Sequence, residues 1–256
     1  MKTAVFSSDL SFIKEICKQL DICVICSEKR RNVRQIKAFS ERKNVSFHAF
    51  SSKEDFVSFL PDFDLGLTFG FGLIFSKSQL DRIKSGVINF HPGKLPEYGG
   101  RHAIGWAILN GLQRLTISAH LINEEIDRGK LIAERELKID LQDDVAALQQ
   151  KVVLELAEGG FFKETLEKHR NAKFSDIPNG NYLPNLAGLW DDVNSADCDS
   201  IFLFNLVRCK RSFGGLVVDG TRVDRAFFLS DLKSRNTNDL LVECKDGIVL
   251  ALRQCD

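Results

Sequence analysis

Over its first ninety residues the chain switches repeatedly between short apolar runs and stretches with helical spacing. Thr3 to Ser7, Ile22 to Ser27, Val45 to Ala49, Leu65 to Phe69 and Gly86 to Phe90 read as strands. Between them, Leu10 to Leu20, Val33 to Arg42, Lys53 to Leu60 and Ser76 to Ile83 read as helices. Strands that alternate with helices in this way predict a mostly parallel sheet covered by helices on both faces. His102 to Leu109 continues as a helix, and Thr116 to Leu121 and Leu131 to Ile139 as strands. Val145 to Glu167 reads as one long helix, with Asp143 and Asp144 at its positive end.

The character changes near Asn171. Pro178 to Pro184 is rich in chain breakers, and Ile201 to Cys209 looks helical. Asp219-Gly220 and Asp246-Gly247 each sit between apolar runs, the preferred chemistry of a two-residue hairpin turn. The expectation is a Rossmann-like α/β catalytic domain over 1–170 and a small β-rich C-terminal domain over 185–256. A chain of 256 residues has room for both.

Composition removes several classes. Lys plus Arg and Asp plus Glu both number 35, so no global field favours nucleic acid or an anionic membrane. The seven cysteines are an odd, scattered set rather than a disulfide framework. Cys23-Val-Ile-Cys26 has redox spacing, but it lies in a strand-like run and reads as buried thiols. No second Cys or His pair has zinc-ligand spacing, so no metal is expected. Neither a signal peptide nor a membrane-length apolar run is apparent, and a reducing cytoplasm is the expected compartment. Gly70-Phe-Gly72 fails as a dinucleotide fingerprint, because Phe75 stands where the third glycine belongs.

Chemistry concentrates where the fifth strand ends, in Asn89-Phe-His91-Pro92-Gly93. Asn89 and His91 are two apart, so their side chains share one face of the strand. Pro92-Gly93 stops the strand, which places both at a carboxyl end, where open α/β sheets hold their ligands. An imidazole there can accept a proton from an attacking nucleophile, and an amide NH2 can hold an oxyanion. A carboxylate nearby would set the imidazole tautomer and favour its cation. Asp127, in Asp127-Arg-Gly129, is one candidate, and Glu124 and Glu125 on the same loop are others.

The stretch Gly86 to Arg101 resembles the core motif of the folate-dependent formyltransferases. That superfamily includes the methionyl-tRNA, glycinamide ribonucleotide and nucleotide-linked sugar enzymes. The likeness continues through Trp106 to Gly111, Thr116 to His120 and Ile126 to Ile132, and reaches back to Phe71-Gly72-Leu73-Ile74. It is close over 64–135 and looser over the first 160 residues. The resemblance implies Asn89, His91 and Asp127 as the catalytic set and selects Asp127 as the carboxylate. It implies N10-formyltetrahydrofolate as donor. The pterin is expected near Phe71, Gly72 and Leu73 and on the loop carrying Asn123, Glu124 and Asp127. Many relatives read Tyr-Arg-Gly where this chain has Tyr98-Gly99-Gly100, with Arg101 next.

The acceptor is read from the C-terminal region. From Asn181 onward there are nine Lys plus Arg against eleven Asp plus Glu, a net of minus two. A tRNA-binding region should be basic, because phosphate contacts dominate affinity. The region from Tyr182 to Gly215 resembles the C-terminal part of sugar N-formyltransferases. The expected partner is therefore an amino sugar on a nucleoside diphosphate, destined for a bacterial surface glycan. Lys77, Arg101 and Tyr182 are the candidate contacts to it, and Arg208, Lys210 and Arg211 read as a solvent-facing basic cluster. A homodimer through the C-terminal region is a further expectation. A tRNA-directed enzyme and a formyltetrahydrofolate hydrolase are the alternatives.

Overall fold

The computed structural model describes residues 1–59, 61–180, 182–232 and 238–255. It divides into two compact units, one of Met1–Gly99, Thr116–Glu136 and Gln150–Asn181, the other of Gly100–Leu115, Leu137–Gln149 and Tyr182–Asp256.

The first half builds as the alternation dictates. Strands β1 (Thr3–Ser7), β2 (Ile22–Ser27), β3 (Ser46–Phe50), β4 (Leu65–Phe69) and β5 (Val87–His91) are linked by helices α1 (Leu10–Cys17), α2 (Val33–Lys43), α3 (Lys53–Phe59) and α4 (Lys77–Leu80). The Lys53 to Leu60 helix was expected one residue longer, and Leu60 lies outside the described residues. The Ser76 to Ile83 helix shrinks to a single turn in α4, capped by Ser76 and Gln79. Helix α5 (Ala103–Leu109) precedes β6 (Arg114–Leu121) and β7 (Lys130–Lys138).

These strands form an eight-stranded sheet in the order β3-β2-β1-β4-β5-β6-β7-β8, with β8 only Ser175–Asp176. From β3 to β5 every pairing is parallel, and β6 runs antiparallel to β5. Strands β1 and β4 are buried along their whole length, as central parallel strands must be. Phe6, Phe50, Phe56, Phe71 and Phe75 interlock beneath the C-terminal ends of β1 to β4, with the Phe6 and Phe75 rings 4.9 Å apart and edge-on. The abundant phenylalanines thus pin the segment that follows β4.

The long helix expected over Val145 to Glu167 is two, α6 (Val145–Ala157) and α7 (Phe161–Arg170). Gly159-Gly160 divides them. Gly160 sits at φ 79°, a left-handed conformation that breaks the helix, and a Cβ at Gly159 would run into the Glu155 carboxylate.

In the second unit β9 (Asp192–Val193), β10 (Leu216–Val218), β11 (Thr221–Phe228), β12 (Leu240–Glu243) and β13 (Val249–Gln254) form a five-stranded sheet in the order β12-β13-β11-β10-β9. Asp219 and Gly220 both have positive φ and make the two-residue turn between β10 and β11. The second hairpin differs from expectation. Its loop runs from Cys244 to Ile248, closed by Cys244 N donating to Ile248 O at 2.9 Å.

Helix α8 (Ser200–Lys210) is buried on nearly all sides. Two of the three basic residues at its end correct the solvent-facing reading, while Arg211 stays half-exposed beside Asp144. Arg208 is 8 % exposed and donates to the carbonyl oxygens of Asp140, Leu141 and Asp143 and to Asn205 Oδ1. Lys210 is 1 % exposed, with Nζ 2.6 Å from Asp191 Oδ1. A buried cation persists only where such partners replace water.

Candidate active site

Three neighbouring strands each contribute one polar residue to a row across the sheet. Thr68 on β4 pairs in register with Asn89 on β5, and Asn89 pairs with His120 on β6. Partners directly opposite on adjacent strands point to the same face. The Thr68 hydroxyl donates to Asn89 Oδ1 at 2.7 Å. That contact turns the amide so that its NH2 faces His120 Nε2 at 3.1 Å and Asp127 Oδ1 at 3.5 Å. The carbonyl of Leu121 stands 3.0 Å from His120 Nδ1, and a carbonyl only accepts. The His120 proton is therefore on Nδ1, which leaves Nε2 as the acceptor for Asn89.

His91, two residues beyond Asn89, is 6 % exposed. Its Nε2 stands 2.7 Å from the Tyr98 carbonyl oxygen and donates to it. Its Nδ1 faces Asp127 Oδ2 at 3.7 Å, too far for a hydrogen bond. The turn that follows is held by buried Ser118, which donates to Gly93 O at 2.9 Å and accepts from Leu95 N at 3.3 Å.

The Asp127 loop explains its own sequence. Asp127 adopts φ 52°, and at Gly129 a Cβ would stand 1.6 Å from the Leu121 carbonyl oxygen. Only glycine lets the loop close onto β6 there. Asn123 pins the loop internally, accepting from Glu125 N at 3.0 Å and donating to Arg128 O at 3.1 Å. Arg128 reaches the carbonyl oxygens of Pro178 and Gly180 and the Asn179 side chain. Glu124 and Glu125 are exposed, so of the three acidic residues on this loop it is Asp127 that faces the imidazole.

The electrostatics correct one expectation. Burial pushes the His91 pKa below its ordinary value; Asp127 and the Tyr98 carbonyl pull it up, and His120 pushes it down. Burial dominates, so His91 is neutral at neutral pH rather than held as a cation. The Tyr98 carbonyl, not Asp127, selects the tautomer. The lone pair is on Nδ1, beside a carboxylate that stabilises positive charge as it develops.

The other expected contacts are placed as follows. The Phe71 ring belongs to the phenylalanine cluster, Gly72 is exposed and Leu73 is half-buried. Lys77 lies on the exposed side of α4, 3.5 Å from Asp81. Arg101 and Tyr182 lie in the second unit, both exposed, beside the bridge between Gly100 and Leu183. Thr68, Tyr98 and His120 had no role assigned from sequence. A signal existed for Thr68, a polar residue inside an otherwise apolar strand; His120 shares an alternating strand with Thr116 and Ser118 and does not stand out. No local signal marks a backbone carbonyl.

Cys26 lies on β2, and burial pushes its thiol up to about 11. Among the described residues no cluster of three metal-ligating side chains occurs, and no helix is long and apolar enough to cross a membrane.

The family model described as formyl transferase matches residues 24–162. The chain belongs to the formyl transferase family. It is 27 % identical over 200 residues to the methionyl-tRNA formyltransferase of Thermodesulfovibrio yellowstonii, covering 74 % of this chain and 64 % of that protein. It is 34 % identical over 127 residues to the methionyl-tRNA formyltransferase of Bacillus pumilus, covering 48 % of this chain and 39 % of that one. The chain thus spans less than two thirds of the length of these curated relatives.

Among solved structures, WlaRD, a sugar 3N-formyl transferase in the presence of dTDP and 5-N-formyl-THF, matches with a TM-score of 0.75 at 15 % identity. That match covers 100 % of this chain and 98 % of that one. An N-formyltransferase from Helicobacter canadensis, in complex with folinic acid and dTDP-3-aminofucose, matches with a TM-score of 0.74 at 14 % identity, covering both chains in full. At these identities the likeness is one of fold.

Proposed function

We propose that this chain transfers a formyl group from N10-formyltetrahydrofolate to the amino group of a nucleotide-linked amino sugar. The observation that carries the reading is the pairing of a buried, neutral His91, its free Nδ1 beside Asp127, with an Asn89 amide whose NH2 faces the same carboxylate.

The folate supplies the formyl carbon and the departing nitrogen. Apolar side chains suited to covering its flat ring are exposed after β4 and on the Asp127 loop, at Ile74 (50 %) and Ile126 (44 %). Leu73, Gly72 and the loop residues Asn123, Glu124 and Asp127 complete the proposed contact, with Phe71 supporting it from the core. Asn89 Nδ2 donates to the oxygen that gains charge as the amine attacks. His91 Nδ1 takes the proton that the amine sheds and returns it to the nitrogen that leaves. Asp127 stabilises the imidazolium in between. One C–N bond forms, one breaks, and the proton count is unchanged.

A sugar acceptor is supported by a C-terminal region of net charge minus two and by the full-length fold likeness to sugar enzymes. Formylation of charged tRNA is the second reading, supported by the curated relatives. The experiment is mass spectrometry of dTDP-, UDP- and GDP-linked 3- and 4-amino sugars incubated with the protein and donor, with charged tRNA in parallel. Formylated sugar nucleotide is the expected product. Turnover on tRNA alone, or release of formate with every acceptor, would overturn the reading. A role in surface glycan synthesis and self-association through the C-terminal unit belong to the same proposal; sedimentation of the full chain tests the latter.

A further inference from the structure

We infer that Arg128, through its grip on the segment 178–180, is a positioning residue that sets how closely the Asp127 carboxylate approaches the His91 ring. The role rests on the transfer chemistry proposed above and is independent of which acceptor is used. Asp127 sits on a loop whose backbone passes through a left-handed conformation at Asp127 itself, φ 52°. A residue with a side chain keeps that conformation where its surroundings hold it. Asp127 Oδ2 stands 3.7 Å from His91 Nδ1, so no hydrogen bond between these two atoms fixes their separation. The separation is set by what holds the loop and what holds the ring.

One short segment touches both. On the loop side, Arg128 follows Asp127 directly. It donates through Nη1 to Pro178 O at 3.2 Å and to Asn179 Oδ1 at 3.0 Å, and through Nη2 to Gly180 O. A planar guanidinium that meets oxygens on three consecutive residues fixes direction as well as distance. On the ring side, Gly180 lies against Pro96: a Cβ there would stand 2.6 Å from Pro96 Cβ and 3.2 Å from Pro96 O. Pro96 belongs to the turn that carries Tyr98, whose carbonyl oxygen accepts from His91 Nε2 at 2.7 Å. Between the two contacts and β8, buried Ile177 anchors the segment.

A clamp for the sheet edge alone would not need this reach. Strand β8 is already paired with β7, Lys130 standing opposite Asp176 and bonding its carboxylate. Arg128 extends past β8 to the three residues nearest the Pro96 turn. The carboxylate and the imidazole are thus held from one piece of backbone, the first through Arg128 and the second through Pro96 and Tyr98.

The NMR titration of the His91 ring in the full chain tests the role without any acceptor. Asp127, the Tyr98 carbonyl and His120 face that ring. Loss of the Arg128 charge would by itself raise the His91 pKa, whereas a carboxylate that drifts from the ring lowers it. We expect Arg128→Ala to lower it, in the direction of Asp127→Asn. Gly180→Ala, which keeps the charge but pushes the segment off Pro96, should lower it too. Arg128→Lys, which keeps the charge and loses the fork, should fall between Arg128→Ala and wild type; these two carry the test if Arg128→Ala lowers the thermal midpoint. With N10-formyltetrahydrofolate and dTDP-, UDP- or GDP-linked amino sugars, kcat should fall roughly tenfold in Arg128→Ala, the scale of a small misplacement. The donor KM should stay within about twofold. Arg128→Ala/Gly180→Ala should be little slower than the slower single variant, since both release one segment. An unchanged or raised His91 pKa in the folded variants would overturn the role, and so would an unchanged kcat. Formylated sugar made at the wild-type rate by Arg128→Ala would leave the function standing and remove Arg128 from it. A lowered His91 pKa in a chain that formylates no acceptor would do the reverse.

Discussion

His91 Nε2 stands 2.7 Å from the Tyr98 carbonyl oxygen, and this contact leaves Nδ1 as the nitrogen open to take a proton. Replacing His91 with Asn should therefore remove proton transfer while the fold survives. A loss of roughly 10²- to 10⁴-fold in kcat is expected. Single-turnover kinetics beside the unfolding midpoint checks this, and a variant keeping more than about a tenth of the rate would end the assignment.

Asp127 and His91 should be coupled in their titration. Burial already holds the His91 pKa low, and Asp127 is the largest influence opposing it. Asp127→Asn should move the His91 pKa lower still. The NMR titration of the His91 ring in both proteins reads this directly. An unchanged or raised value would mean that the carboxylate does not act on the ring.

The same depression makes stability depend on pH. The folded pKa of His91 lies below the unfolded value of about 6.5. Between the two, the unfolded chain binds the additional proton and the folded one does not. The penalty is full below the folded pKa, shrinks as pH rises, and is gone above about 6.5. Urea midpoints across pH 4 to 8 should show this rise in wild type and lack that part of it in His91→Asn.

His120→Leu should weaken catalysis without touching the reacting groups. The substitution removes the acceptor that orients Asn89 Nδ2 at 3.1 Å. We expect a fall in kcat of about tenfold, smaller than the roughly 10²- to 10³-fold of Asn89→Ala, which removes the oxyanion donor itself. His120→Gln, which can still accept from Asn89, should recover part of the loss. Equal rates for the Leu and Gln variants would rule out the orienting role.

Gly129→Ala should cost both stability and activity. A Cβ placed 1.6 Å from the Leu121 carbonyl oxygen forces the loop away from β6, and Asp127 moves with it. About 1–3 kcal/mol of destabilisation is the usual scale for such overpacking. A chemical denaturation curve and the transfer rate give the two readouts; an unshifted midpoint would show that the loop yields freely.

The sequence by itself determined the parallel sheet, because strand–helix alternation in the first ninety residues admits few other arrangements. It also determined that Asn89 and His91 project side by side, since a strand repeats every two residues. The Asp219-Gly220 turn was legible for a local reason too, as both residues tolerate positive φ. Other features depended on residues far apart in the chain. Only the tertiary structure brought Thr68 and His120 into one row with Asn89, because strand order and register decide who stands opposite whom. Strand geometry left Asp127, Glu124 and Glu125 open, and it is a loop closed onto β6 that brings the Asp127 carboxylate to the imidazole. The tertiary structure reversed the expected charge of His91, since burial is a property of everything packed around a residue. It buried Arg208 and Lys210, whose carbonyl and carboxylate partners lie up to 68 positions away. Periodicity and turn chemistry are local and can be read along the chain; desolvation, register and long-range partners exist only once the chain has folded.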